Sequence, residues 1–202
     1  MKERGMIFNA EMVRAVLDGS KTQTRRMLTP RQLKMIDTAA AIGECYPLES
    51  GYQHENSQSY YREWCPFGAV GDRLWVRETF GFSIRSVGGS PHEQVVYRAS
   101  KPDAVRLYDC NGKPDPMKWT PSIHMRRKYS RITLEITGVR VERLQDISDI
   151  DAIAEGCSTA DMRSGDSARD VYARLWSSIY GADSWQANPW VWVIEFKRVE
   201  VE

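Results

Sequence analysis

After Asn188-Pro189 the chain runs Trp190-Val191-Trp192-Val193-Ile194-Glu195-Phe196, with Glu195 as its one polar residue. A strand with one wet face alternates apolar and polar residues. This run does not, so it predicts a strand covered on both faces and central in its sheet. Such a strand needs a neighbour on each side and a packed layer above and below. One neighbour is legible upstream. Ile132, Leu134 and Ile136 alternate with Arg131, Thr133 and Glu135, and Val139 with Val141 extends the strand past Gly138. Arg73 to Phe80, centred on Leu74, Trp75 and Val76, predicts another strand after the turn Val70-Gly71-Asp72. Gln94 to Arg98 is a further short candidate, and Ser20 to Arg26, rich in threonine, reads as an edge strand.

The covering layer comes from short helices with clear end signals. Asn9 caps a helix with Glu11 in its first turn, and Gly19 suits the left-handed turn that ends it. Its face is Met12, Val13, Val16 and Leu17. Ser148 with Asp151 opens a short helix ending near Gly156. Ser167 with Asp170 opens another, striped by Val171, Tyr172, Leu175, Trp176 and Ile179 and stopped by Gly181. Arg31 to Ile42 fits a helix, Gly43 to Ser59 reads as polar and turn-rich, and four prolines between Lys101 and Pro121 exclude a regular helix there. Without a βαβ rhythm, the pattern predicts an α+β fold: a small curled sheet or barrel with flanking short helices, forming one domain over 1–202. Trp190, Trp192, Leu175 and Ile179 are expected to be more buried than Trp64 or Trp119.

The charge balance excludes one large class of function. Lys and Arg total 28 against 27 Asp and Glu, a net charge of +1. A polybasic, histone-like binder needs a large cationic excess. Apolar residues at 42% fit an ordinary globular chain, and no apolar stretch reaches the ~20 residues a membrane helix needs. No secretory signal is visible, so a cytoplasmic protein without membrane partners is expected. Cys45, Cys65, Cys110 and Cys157 form no Cys-x-x-Cys pair. Cys45, His54 and Cys65 offer three zinc-type ligands, but unpaired thiols are the expectation, with no metal or other cofactor. Phosphate-cradling glycine motifs and a nucleophile elbow are absent.

The segment Gly19-Ser20-Lys21-Thr22-Gln23-Thr24-Arg25-Arg26 reads by composition as a solvated basic turn. Its order along the chain suggests more. A helix, then Asp-Gly-x-Lys-Thr-x-Thr-x-Arg, then Gly71-Asp72-Arg73-Leu74-Trp75-Val76, then the late Trp-Val-Ile-Glu-Phe strand resembles the ASCH family. That resemblance implies a PUA-like β-barrel, with about 28–66 and 81–128 as insertions in the minimal domain. Ile7-Phe8-Asn9, Gly71 to Glu78 and Asn188 to Trp192 are similar to longer ASCH-related proteins of bacteriophages and prophages.

The small bacterial ASCH proteins include acetylcytidine amidohydrolases, whose catalytic set is a Lys, a Thr three residues later and a distant Glu. Lys21 and Thr24 match with that spacing, and counting along the Ser148 helix lands on Glu155. The resemblance therefore implies Lys21, Thr24 and Glu155 as catalytic residues acting on an acylated nucleoside. Glu155 is equally readable as an exposed helix position, and Asp151 as only a cap. Amide hydrolysis needs a nucleophile, oxyanion stabilisation and a protonated leaving amine. Thr24 suits the first role, and Lys21 is either a desolvated base or a cation. Residues three apart face opposite ways on a regular strand, so Lys21 is expected in the turn before it. Arg25, Arg26, Arg77 and Glu78 are candidate substrate contacts. Trp119, Arg126 and Arg127, with Lys128 and Tyr129, form a basic run between aromatics that suits single-stranded nucleic acid, or equally a solvated loop. The rivals are a non-catalytic RNA- or DNA-binding module and a ribonuclease.

Overall fold

The computed structural model describes residues 1–87 and 89–199; Gly88 and 200–202, part of the expected 1–202 domain, lie outside them. The chain order is β1 (Glu3–Ile7), α1 (Ala10–Asp18), β2 (Gln23–Met27), α2 (Pro30–Ala41), α3 (Leu48–Gly51), α4 (Glu55–Glu63) and β3 (Arg73–Arg77). There follow β4 (Phe80–Val87), β5 (Ser90–Tyr97), β6 (Val105–Tyr108), β7 (Pro114–Pro116), β8 (Thr133–Arg143), α5 (Asp149–Ala154), α6 (Ala168–Tyr180) and β9 (Trp190–Val199). This is a mixed α+β chain. No helix among the described residues is long and apolar enough to cross a membrane.

Five strands form one sheet in the order β1-β3-β8-β9-β2, while β4-β5 and β6-β7 are separate hairpins. β9 pairs antiparallel with both β8 and β2, so it is an interior strand as its sequence demands, although β8 and not β9 is the middle strand of the five. Its two faces serve two cores. Trp190, Trp192, Ile194 and Phe196 pack with Phe8, Val13, Leu134 and Ile136. Val191 and Val193 pack with Ala152, Tyr172 and Trp176 under α5 and α6. Among the described residues no backbone ladder joins β1 to β2, the outer strands. Arg26 bridges them instead: its Nη2 donates to the Ile7 carbonyl at 2.9 Å, and its guanidinium stands 5.5 Å from the centre of the Phe8 ring.

β8 keeps its apolar residues inward despite the odd spacing from Ile136 to Val139. The register skips between Ile136 and Gly138, a bulge that restores alternation, so that Val139 and Val141 join Leu134 and Ile136 in one core. A Cβ at Gly138 would lie 2.5 Å from Glu195 Oε2, so a larger residue there would have to displace the Glu195 side chain.

Three expectations are corrected. β1 precedes α1, although its sequence Glu3-Arg4-Gly5-Met6-Ile7 lacks a strand signature; only Met6 of it is buried, and Gly5 lets the Trp75 ring of β3 approach. Gly43 to Ser59 is not simply turns, because α3 and most of α4 fall there. They bury only Leu48 and Tyr61 as large core side chains, and α4 adds a polar contact: Gln58 donates to the Val141 carbonyl at 2.7 Å and accepts from its N–H at 3.0 Å, acting as a one-residue strand beside β8. Ile179 is 42% exposed rather than core; in the last turn of α6 the rings of Trp176 and Tyr180 meet instead, centroids 4.3 Å apart.

Trp192, 1% exposed, is the largest side chain at the sheet centre, so Trp192→Ala should destabilise by about 3–5 kcal/mol. Ile150→Ala, at a position 79% exposed, should cost less than about 0.5 kcal/mol. Urea unfolding followed by circular dichroism measures both.

Candidate active site

The site is assembled where three elements meet the segment before β2. Asn9 Oδ1 accepts from the Met12 N–H and starts α1, and Gly19 at φ 85° turns the chain back. Lys21 N–H then donates to the Ala15 carbonyl (2.9 Å), Thr22 N–H to Ala154 of α5 (2.8 Å), and Phe196 N–H of β9 to Thr22 (2.8 Å). Lys21 thus lies before the regular strand and forms an isolated bridge with Glu155. On the other side, Ser148 Oγ accepts from the Asp151 N–H and opens α5, and Glu155 caps its end. Gly156 follows at φ 92°. A Cβ there would come 3.0 Å from Ala15 Cβ and 3.3 Å from Lys21 Cβ, so only glycine lets α5 close onto α1 at this distance.

This geometry buries an ion pair. Lys21 Nζ donates to Glu155 Oε2 at 2.6 Å and to the Glu155 carbonyl at 2.8 Å, with the two side chains 1% and 3% exposed. The other carboxylate oxygen, Oε1, accepts from Arg25 Nη1 at 3.2 Å. Arg25 is itself buried, and its remaining donors go to Gln23 Oε1 (2.6 Å), Glu142 Oε1 (2.6 and 3.2 Å) and Asp151 Oδ2 (3.4 Å). Arg140 extends the network, donating to Glu142 and Asp151 at 2.9 and 3.2 Å and to Glu195. Gln23 Nε2 also donates to Asp151 Oδ1 at 3.0 Å.

Burial pushes the Lys21 ammonium below its ordinary pKa, against the upward pull of the Glu155 carboxylate. Burial also works against the Asp151 carboxylate, yet the Gln23 hydrogen bond and the Arg140 and Arg25 charges hold its pKa below the ordinary value. Cys157, two residues beyond Glu155, is pushed up to about 11 by burial and by the Glu155 charge. It stays a thiol at neutral pH and is a poor nucleophile.

Thr24 lies in the strand proper, fully buried and opposite Ile194. Its Oγ1 has no hydrogen-bond partner, and neither has Trp176 Nε1. Both residues line a narrow recess of about 10 Å³ with Arg25, Glu155, Tyr172 and Tyr180. Glu155 also lines a larger cleft of about 530 Å³ between α1 and α6, with Asn9, Cys157, Arg174 and Ser178 among its walls. Met12 and Leu175 border both spaces. Lys21 borders neither and touches their contents only through Glu155.

The other candidates lie elsewhere. Arg26 spans the sheet edges as described. Arg77 donates to the carbonyls of Ser122 (3.2 Å) and Ile123, holding a 3-10 turn. Glu78 is buried in a fork with Arg131, both contacts 2.9 Å. Arg127 pairs with Glu3 at 2.9 Å and reaches Thr133, while Tyr129 stacks on Phe80. Arg126 is exposed and Trp119 half-buried. Cys45 Sγ faces the Ile36 carbonyl, His54 tilts against Tyr46, and Cys65 is buried. Among the described residues no group of three or more His, Cys, Asp and Glu is placed to hold a metal ion. Sequence reasoning missed Gln23, Glu142 and Arg140. The alternation of Gln23 and Arg25 on one strand face was an available signal for the first of these.

No family model matches the chain, and no curated protein does. Among solved structures it is similar to the high-resolution crystal structure of an ASCH domain from Lactobacillus crispatus JV V101, at 11% identity and a TM-score of 0.39. The match spans 98% of this chain and 79% of that one. A likeness of this size transfers no activity and no residue role.

Breaking the buried pair leaves a charge unmatched, so Lys21→Met should cost about 3–5 kcal/mol, and Lys21→Met with Glu155→Leu should cost less than the sum of the two single changes. A double-mutant cycle in urea measures this. For Asp151 the folded pKa is depressed, so its contribution is complete above the unfolded value of about 3.9 and is lost as pH falls from there through the folded value. Asp151→Asn should therefore unfold more easily at pH 7 and lose less stability than the parent between pH 5 and pH 2.

Proposed function

We propose that the protein is an amidohydrolase of acylated nucleosides, working at Glu155 and Thr24. The observation that carries this reading is the pair of buried polar atoms without partners, Thr24 Oγ1 and Trp176 Nε1, in the walls of one recess with the Glu155 carboxylate. A buried hydroxyl and a buried N–H without partners each cost free energy, about 1–3 kcal/mol. A substrate that pairs with both recovers that cost. The adjoining cleft, about 530 Å³, is within the range that holds a nucleoside-sized ligand, and the recess, about 10 Å³, is no larger than one water, so an acyl carbonyl reaches Thr24 only as the recess widens. The motif resemblance at Lys21 and Thr24 supports the same reaction class.

In the first half-reaction Thr24 Oγ attacks the acyl carbon, and Glu155 accepts the hydroxyl proton. The carbonyl oxygen becomes an oxyanion and accepts from Trp176 Nε1–H. Collapse breaks the C–N bond, and Glu155 returns the proton to the leaving amine. A water then attacks the Thr24 ester, losing a proton to Glu155; collapse breaks the acyl C–Oγ bond, Glu155 returns that proton to Thr24 Oγ, and the carboxylic acid leaves. Arg25 has every donor engaged by carboxylates and Gln23, so it is a positioning residue. Lys21 holds Glu155 from behind and is a positioning residue too.

Purified protein offered acylated nucleosides should release free nucleoside and acid, followed by chromatography. Thr24→Ala and Glu155→Gln should abolish product while altering ligand affinity by no more than a few-fold. Trp176→Phe should lower kcat by about 10²-fold, in line with loss of one oxyanion donor. Turnover surviving both Thr24→Ala and Glu155→Gln would overturn the site, and ligand binding without any product would make the chain a binding module.

A further inference from the structure

The chain's near-zero net charge conceals a sharp segregation. Between Phe80 and Arg131 there are ten Lys and Arg against four Asp and Glu. Between Leu144 and Ala187 there are three against eight. The remainder is balanced. The basic segment is one structural unit: the β4-β5 and β6-β7 hairpins, tied at Phe80 to Thr120 and closed by Tyr129 stacked on Phe80.

Within it, Arg85, Arg98, Lys101, Lys113, Lys118 and Arg126 are exposed. The acids do little to neutralise them. Asp109 accepts from backbone N–H groups of its own turn, at 2.8 and 2.9 Å, and Asp115 pairs with Arg106 at 3.7 Å. The two hairpins enclose a groove of about 870 Å³ lined by Ser83, Arg85, Ser86, Lys101, Asp103 and Tyr108. Arg85 and His92 are cross-strand partners on β4 and β5 and share a face. Tyr108, 66% exposed, adds an aromatic ring to the groove.

We propose that this groove binds single-stranded nucleic acid, with Arg85 and Lys101 on phosphates and Tyr108 under an unpaired base. Charge complementarity selects a polyanion, and the exposed ring beside the cations selects one with flat, unpaired faces rather than a sulfated sugar or a duplex. Hydroxyls of Ser83 and Ser86 supply neutral donors to the backbone. The proposal goes beyond the pocket reading and stands without it, because no groove residue belongs to the Glu155 site.

The test is fluorescence anisotropy of labelled 20-nucleotide oligo-U and oligo-dT from 50 to 200 mM salt. The parent protein should bind, with affinity falling steeply as salt rises. Arg85→Gln with Lys101→Gln should weaken binding about tenfold or more at 50 mM and flatten the log–log salt slope by about 1.4, two single-strand phosphate contacts. Tyr108→Ala should weaken it about tenfold with the slope unchanged. Arg163→Gln, exposed in the acidic segment, should change nothing, and Glu155→Gln should bind like the parent even if it proves inactive. Absence of binding at 50 mM salt, or a double variant equal to the parent, overturns the proposal. So does heparin binding as tight as oligo-U with Tyr108→Ala without effect, since the surface would then be a generic polyanion site.

Discussion

The contact between Lys21 and Glu155 fixes the relation of the two ends of the chain. It joins the segment before β2 to the end of α5, 134 residues later, and it does so almost without solvent. Removing two such charges from water costs several kcal/mol each, and the attraction recovers this only when every remaining lone pair and proton is matched. Here most are matched: both Glu155 oxygens accept from cations, Lys21 donates twice to Glu155, and Arg25 donates to Gln23, Glu142 and Glu155 beside the Asp151 carboxylate. The arrangement is poor as a source of stability compared with apolar packing. What it does constrain is position, because both Glu155 oxygens and its carbonyl are engaged only where the end of α5 meets Lys21 and Arg25.

That docking depends on features with no charge at all. Gly156 admits the close approach of Ala15 and Lys21, and Thr22 hydrogen-bonds to both α5 and β9. A side chain at 156 would push Glu155 off Lys21, and the network would then hold buried charge without partners. Backbone geometry therefore decides whether the electrostatics stabilise or destabilise the fold.

Much of this was legible in the sequence, and the parts that were not share a cause. β9 as an interior strand covered on both faces, the caps at Asn9, Ser148 and Ser167, and the stop at Gly19 are local signals, and the structure carries each of them. Lys21 and Glu155 were also nameable, though only through the motif resemblance, since composition alone made the Lys21 segment a solvated turn. β1 was not, because an edge strand in a parallel pair buries one side chain and needs no alternation. α4 was not, because it buries Ser57, Gln58 and Tyr61 rather than an apolar stripe. Glu142 and Arg140 were hidden for a related reason. On β8 they occupy ordinary polar positions, and only the register with β9 and the approach of α5 show that Arg25 and Asp151 lie beside them.

The charge segregation bears on both proposals at once. The acidic excess lies in the segment that carries Glu155, Asp161 and α6, which also wall the larger cleft. Fields from exposed charges act over about 8–10 Å at physiological salt, and the cleft wall sets Glu11 and Asp161 against Arg174, so it favours a phosphate less than a groove lined by Arg85 and Lys101. The nucleoside of the proposed reaction carries no phosphate and is indifferent to that contrast. A strand held at Arg85 and Lys101 therefore keeps its backbone on the hairpins, and only an uncharged or extruded nucleoside suits the Glu155 side. One charge pattern, with acids after Leu144 and bases before Ile132, would thus give the two proposed sites different preferences within a chain of almost no net charge.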